Sequence, residues 1–224
     1  MATWAVVVAA GSGQRYGNVP KQFVHLWGKP VVAWSIEVAR TVADSVVVVI
    51  PEPYLEKYSS TLMKFGADFV VKGGITRSDS VRCALELLDD KAQEVLIHDG
   101  ARPLATRELW MRVLSALRGA GVSGVELPPA GVVPALRLTD TIKEVENSTV
   151  LSTIPRDNLY VIQTPQAFLV EPLKKAHESK PNANDDAELL ERMGYVVRVV
   201  PGENINLKLT YPEDFEMLKR LAIG

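Results

Sequence analysis

A single cysteine, Cys83, is all the thiol chemistry in this chain of 224 residues. One cysteine excludes an intramolecular disulfide and suits a reducing compartment. It lies in the apolar-periodic run 81–88 and reads as a small core filler, with a reactive thiol as the alternative. Neither sign of charge is in excess. Lys+Arg 25 against Asp+Glu 27 gives a formal charge of −2, so there is no basic surplus for general nucleic-acid binding. No apolar run approaches the roughly 18 residues of a membrane span, and no membrane partner is expected. The N-terminus goes directly into an apolar strand, without a signal or transit pattern, so a cytoplasmic location is expected. Repeats and low-complexity tracts are missing too. So is any evident His/Asp or Cys/His constellation for nucleophilic catalysis.

What is present is an alternation of strands and helices. Val6–Val8 and Ser45–Ile50 are continuous β-branched runs of the kind buried on both faces of a parallel sheet. Between them Pro30 opens a helix reaching about Arg40, and a helix over 55–65 leads to a short strand at 68–71. Glu94–His98 is the next strand, and Thr106 caps a helix to about Arg118. The pattern predicts an α/β fold with a Rossmann-like, mostly parallel, doubly wound sheet and ligands at the carboxyl ends of its strands. At this length one domain spanning 1–224 is expected, with a subdomain at most. From Leu127 the character changes. Pro128, Pro129 and Pro134 break up the chain, then 136–143 and 149–153 read as two strands around a polar turn at 146–148. This predicts a β-arm over about 134–157, too exposed to stand without a partner surface. The body resumes at 160–166, with helices near 171–179 and 185–193 and a strand over 195–200.

Each strand end carries a loop with chemistry. After the first strand, Ala9-Ala10 gives way to Gly11-Ser12-Gly13, where the backbone can turn sharply and approach a ligand. Arg15 and Lys21 follow on the same loop, a pair of cations suited to a polyphosphate. The spacing fits neither a P-loop nor a dinucleotide fingerprint, because Tyr16 stands where each would need a glycine. The second loop, Gly73-Gly74-Ile75-Thr76-Arg77-Ser78-Asp79-Ser80, offers close backbone approach, and Ser78 is a plausible N-cap for the next helix. In the third, Asp99 can hold Mg²⁺ through phosphates or waters, or accept a bond from a ribose hydroxyl, with Arg102 as a possible structural partner. Asp185-Asp186 reads as helix capping, and Thr210 with Glu213 as a capping box for the last helix.

The first loop, G-S-G-x-R-x-G-x-x-P-K-Q, resembles the signature of nucleotidyltransferases that join a sugar or polyol phosphate to a nucleoside triphosphate. Four further segments make the whole chain similar to the 2-C-methyl-D-erythritol 4-phosphate cytidylyltransferases. They are G-G-x-x-R-x-x-S-V at 73–81, H-D-G-A-R-P at 98–103, Q-T-P-Q at 163–166 and N-L-K-L-T at 206–210. The resemblance implies transfer of CMP from CTP to a polyol phosphate with Mg²⁺, Asp99 being its candidate ligand, and a homodimer clasped through the arm. It implies nucleotide contacts from Ala9, Ala10, Gly11, Ser12, Gly13, Gly74, Arg77, Ser80, Asp99 and Arg102. Arg15 and Lys21 would face the α-phosphate and departing pyrophosphate; Thr141, Arg156 and Lys208 would face the acceptor. Read alone, Thr141 and Arg156 are equally well ordinary exposed strand residues. The chain departs from the family pattern at Gly100, in place of an alanine, and at Ile205, where an acidic residue is common. Ribitol 5-phosphate cytidylyltransferases share much of the motif set. Ala9-Ala10-Gly11 and Asp79-Ser80-Val81 lean toward the methylerythritol phosphate group. A silent nucleotide-binding protein is the reading from another class, disfavoured by retention of Arg15, Lys21, Asp99 and Lys208.

Overall fold

The computed structural model describes residues 2–11, 13, 16–17, 20–119 and 128–221. Its centre is β1 (Ala2–Val8), paired in parallel with β4 (Ser45–Ile50) on one side and β6 (Ala92–Asp99) on the other. β5 (Phe69–Lys72) extends the parallel half beyond β4. Beyond β6 the sheet turns antiparallel through β11 (Gln166–Leu169), which pairs with both β6 and β7 (Gly131–Arg137). β10 (Tyr160–Ile162) pairs antiparallel with β7, and β12 (Val197–Pro201) pairs with it in parallel. Two short strands, β2 (His25–Leu26) and β3 (Lys29–Pro30), form a separate pair.

Alternation along β1 explains the layers. Ala5 and Val7 face one side, with α1 (Val31–Arg40), α2 (Leu55–Lys64) and α4 (Arg107–Leu117) packed there through Ile36, Leu62 and Trp110. Trp4 and Val6 face the other, against α3 (Arg77–Leu85), α5 (Val170–His177) and α6 (Asp186–Arg192) through Val81, Leu173 and Leu190. Each such fully buried aliphatic contributes roughly 1.5–3 kcal/mol. A third, smaller cluster joins Leu26 and Val31 to Leu209 and Leu218, the last on α7 (Pro212–Leu221). No helix among the described residues is long and apolar enough to cross a membrane.

The chain runs outward from β1 to β4 and β5, then returns to β6 on the opposite side. That reversal opens a crevice at the carboxyl ends of β1 and β6, where an open α/β sheet binds its ligands. Register brings Val8 of β1 level with Asp99 of β6 and with Val49 of β4.

The arm differs from expectation. Residues 136–143 are not one strand: Leu136 and Arg137 end β7 inside the main sheet, and a new strand, β8 (Ile142–Glu146), begins after a break. Pro134 lies within β7, where its carbonyl accepts from the Gln163 amide (2.8 Å). The free-standing hairpin is therefore β8 with β9 (Thr149–Ile154). Its turn is at Asn147-Ser148, both with positive φ as a tight two-residue hairpin requires. Among the described residues these strands pair only with each other, and Val145, Val150 and Leu151 lie exposed on them.

Candidate active site

The loop after β1 is tied to the sheet on both sides of that strand. The Ala9 amide donates to the Val49 carbonyl (2.8 Å), and the Gly100 amide donates to the Val8 carbonyl (2.9 Å). Gly13 has φ +66, in the left-handed region, and its carbonyl accepts from the Tyr16 amide (2.8 Å). Buried Gln22 reaches back to the Gly11 carbonyl (3.4 Å), a support that sequence reading left unassigned. Lys21 Nζ donates to the Leu209 carbonyl (2.5 Å), locking this loop to the segment that carries Lys208. Ala9, Ala10, Gly11, Gly13 and Lys21 all line one cleft of about 760 Å³. Ser12 and Arg15 lie outside the described residues.

The opposite wall is the loop after β5. Helix α3 is capped by Thr76, not Ser78. The Thr76 hydroxyl accepts from the Asp79 amide (3.0 Å), while the Asp79 carboxylate accepts from the Thr76 amide (3.0 Å) in a reciprocal box. Ser78 is buried inside the helix, where its hydroxyl accepts from the Ala183 amide (3.3 Å). The Ser80 hydroxyl accepts from the Gly74 amide (3.2 Å) and donates to the Thr76 carbonyl (3.0 Å), shaping the loop from within. Gly73 is where the two loops meet. A Cβ there would stand 2.2 Å from the Ala10 Cβ, 2.7 Å from the Ser80 hydroxyl and 3.3 Å from Val49 Cγ1. Gly73→Ala must therefore push the loops apart. The expected outcome is a loss of about 1–3 kcal/mol of stability in chemical denaturation, together with weakened nucleotide binding in calorimetry. Unchanged values for both would show that this contact does not shape the cleft.

The floor is a cluster of charges. Asp99 ends β6 and pairs with Lys208 Nζ at 2.6 Å and Arg77 Nε at 3.4 Å. Burial alone would raise the Asp99 carboxyl, but the charges of Arg77 and Lys208 and the Lys208 hydrogen bond outweigh it. The group is held well below the usual carboxylate range. Arg102 is not its hydrogen-bonded partner: Arg102 Nη1 donates to the Asn206 carbonyl (2.8 Å) and so braces the segment before Lys208. Fully buried His98 supports Asp99 from behind. Thr164 accepts from the Asp99 amide (3.0 Å); because the Arg102 carbonyl facing Nε2 can only accept, Nε2 carries the imidazole proton and Nδ1 accepts from the Thr164 hydroxyl (3.1 Å). The Nε2 proton then faces the Arg102 carbonyl and the Ser35 hydroxyl, both at 3.2 Å. Burial pushes this imidazole down to about 4, so it stays neutral.

Arg77, Asp99 and Lys208 also line a second cleft of about 450 Å³, whose other residues include Arg102, Thr164, Gln166 and Asp185. The charged cluster is thus the partition between two clefts. Thr141 and Arg156 line neither of these clefts. Both are exposed, at the foot of the hairpin, and Arg156 donates to the Thr139 carbonyl. Sequence reading assigned Asp186 to helix capping together with Asp185 and missed its role at Arg77. Asp185 alone caps α6, accepting from the Glu188 amide (3.0 Å), whereas Asp186 is fully buried and pairs with Arg77 (2.7 Å). The last helix is capped by Asp214, not Glu213: its carboxylate accepts from the Thr210 and Tyr211 amides, both at 2.7 Å.

Residues 3–221 match the model of the 2-C-methyl-D-erythritol 4-phosphate cytidylyltransferase family. A relative of that name from Cereibacter sphaeroides is 39% identical, over 99% of this chain and 97% of its own length. The "Bifunctional enzyme IspD/IspF" of Nitratidesulfovibrio vulgaris is 41% identical over 97% of this chain. The chain spans only 58% of the length of that relative. Among solved structures, the cytidylyltransferase of that name from Thermus thermophilus superposes with a TM-score of 0.82 at 30% identity, each chain fully covered. This chain belongs to the 2-C-methyl-D-erythritol 4-phosphate cytidylyltransferase family.

Proposed function

We propose that the protein transfers CMP from CTP to 2-C-methyl-D-erythritol 4-phosphate and releases pyrophosphate. The observation that carries this reading is the partition: two clefts share Arg77, Asp99 and Lys208, and the larger also holds Lys21 and the phosphate loop. A nucleotide in the larger cleft and a polyol phosphate in the smaller would meet there. Carboxylates and amides dominate the smaller cleft, among them Gln163, Gln166, Asp185 and Glu188, and they suit the hydroxyls of a polyol. A phosphomonoester is already largely dianionic near pH 7, so its oxygen attacks the α-phosphorus without a general base. One bond forms from acceptor oxygen to α-phosphorus, and the bond to the pyrophosphate oxygen breaks. The protein's task is to bring two anions together and to stabilise charge on the α-phosphate and leaving group. Lys21 and Arg15 are assigned to the nucleotide phosphates, and Lys208 to the approaching acceptor phosphate.

Asp99 is the one carboxylate lining the larger cleft among the described residues. No group of three or more potential metal ligands is found among them. That donor set fits a Mg²⁺ ion held chiefly by substrate phosphate oxygens, with Asp99 as its protein ligand, and does not fit an all-protein metal cage. Such an ion, when bound, would neutralise phosphate charge. We place the protein in the cytoplasm as a homodimer, with the exposed Val145, Val150 and Leu151 of the hairpin covered by a second copy.

The deciding experiment is a pyrophosphate-release assay with CTP and methylerythritol phosphate beside CTP and ribitol 5-phosphate. Turnover with the former, and little with the latter, is expected. The reverse preference would reassign the acceptor, and binding of CTP without turnover of either would leave a nucleotide-binding protein. In the same assay, CTP is expected to exceed ATP and GTP by at least about 10²-fold in kcat/KM. Backbone groups of Ala9, Ala10 and Gly74, which line the larger cleft, would recognise the base, and a base of another shape would leave those polar groups unpaired. Comparable turnover of ATP would show the base pocket to be wider than argued.

A further inference from the structure

Behind the partition runs a line of buried polar contacts that the chemistry above does not use. Asp186, at the start of α6, has no solvent exposure. Its Oδ2 accepts from Arg77 Nη1 (2.7 Å), and its Oδ1 from His177 Nε2 (3.0 Å). The other imidazole nitrogen, Nδ1, lies 3.4 Å from Arg82 Nη1, which can only donate. Nδ1 is therefore the accepting nitrogen, and the Nε2 proton points at Asp186. Arg77 is thus held between two carboxylates, closely by Asp186 and at the longer 3.4 Å by Asp99. Burial opposes the charge on Asp186, yet Arg77 and His177 together hold its carboxyl below the ordinary range. One Arg77 nitrogen, Nη2, is buried with no hydrogen-bond partner among the described residues. A buried guanidinium nitrogen without an acceptor is costly, and Arg77 lines both clefts.

We infer that Asp186, backed by His177, is a positioning residue that acts through Arg77: it holds the guanidinium back from Asp99 and fixes it at the partition. Without the Asp186 charge, Arg77 would close onto Asp99, which would then be drawn from Lys208. The geometry of the partition would change although no residue facing the phosphates had been altered. A displacement on the order of 1 Å at a reacting centre can cost about 10²-fold in rate. The inference rests on the functional reading above, in which the partition is where nucleotide and acceptor meet.

The test is a double-mutant cycle on Asp186→Asn and Arg77→Lys, read by kcat/KM in the pyrophosphate-release assay and by the dissociation constant of CTP in calorimetry. The lysine keeps a positive charge beside Asp186 but loses the planar fork. Asp186→Asn is expected to lower kcat/KM by about 10- to 100-fold in the wild-type background and by less than about threefold in the Arg77→Lys background. Asp186→Glu, which restores the charge, should recover part of the loss. Equal losses in both backgrounds would mean that Asp186 acts through general structure, and wild-type kinetics of Asp186→Asn would remove its role; either result overturns the inference. If Asp186→Asn does not fold, His177→Gln, which removes the second anchor of the same carboxylate, replaces it in the cycle, with a smaller expected loss of about 3- to 10-fold and the same dependence on Arg77. If wild-type protein binds CTP without turnover, the functional reading fails, and the cycle still stands or falls on the CTP dissociation constants.

Discussion

Lys21→Ala is expected to lower kcat by about 10²- to 10³-fold with little change in folding stability. Removing one preorganised charge contact to a transition state typically costs roughly 2.7–4 kcal/mol. Three observations support this expectation for Lys21. It lines the larger cleft, it follows the loop that carries Gly11 and Gly13, and its ammonium is held by the Leu209 carbonyl at 2.5 Å. That anchor belongs to the segment bearing Lys208, so the two cations are fixed to one another before any substrate arrives. Charge that is already in place need not reorganise as the α-phosphate gains negative charge, and so it acts on the barrier more than on binding. Lys21→Arg should recover part of the rate, because it keeps the charge while changing its shape. Steady-state kinetics on both variants, with thermal melts as a control, make the comparison. An alanine variant that folds normally and retains more than half of wild-type kcat would remove Lys21 from the transition state.

The sequence was most readable where one physical demand dominated. Ser45–Ile50 is a strand to the residue in both readings, because a strand buried on both faces must be apolar throughout and Pro51 closes it. The loops at 9–13, 73–80 and 99–102 were found because each follows a strand legible in the sequence, although only β1 and β6 are buried as fully as β4, and β5 lies at the edge. The arm was misjudged at its start because β-type residues continue from β7 into β8 while Pro134 reads as a breaker. Nothing local shows that Leu136 and Arg137 pair with β10 and that only the second part stands free. The cap of α3 was recoverable: Thr76 has an acidic residue three positions on, whereas Ser78 has Val81, and a capping box needs the former. Asp186 was not recoverable. Capping explained Asp185-Asp186 adequately, and the partner of Asp186 lies 109 residues away in sequence. The same distance separates Lys208 from Asp99, but there the family resemblance had already singled out both residues.

Co-expression of Lys21→Ala with Arg156→Ala is expected to restore about a quarter of wild-type activity, although each variant alone should be nearly inactive. The argument begins with what Arg156 does not do in its own chain. It lines neither the larger cleft nor its neighbour; it is exposed beside a hairpin whose strands, as described, pair only with each other. A lone two-stranded hairpin with Val145, Val150 and Leu151 exposed is marginal in water, and a second copy of the chain would cover it. In a two-fold dimer that covering is reciprocal, so each hairpin would carry its Thr141 and Arg156 toward the partner's site. Lys21 would serve its own subunit, since it is fixed to the Leu209 carbonyl of the same chain. A mixed dimer then has one site with both lesions and one with neither. Random assembly makes half of all dimers mixed, and half of their sites are intact. If Arg156 acted within its own subunit, every site would keep one lesion and no activity would return. The measurement is pyrophosphate release after equal co-expression, with differential tags used to isolate the mixed dimers. Isolated mixed dimers should show about half of wild-type activity per dimer, and their inactivity would confine Arg156 to its own chain.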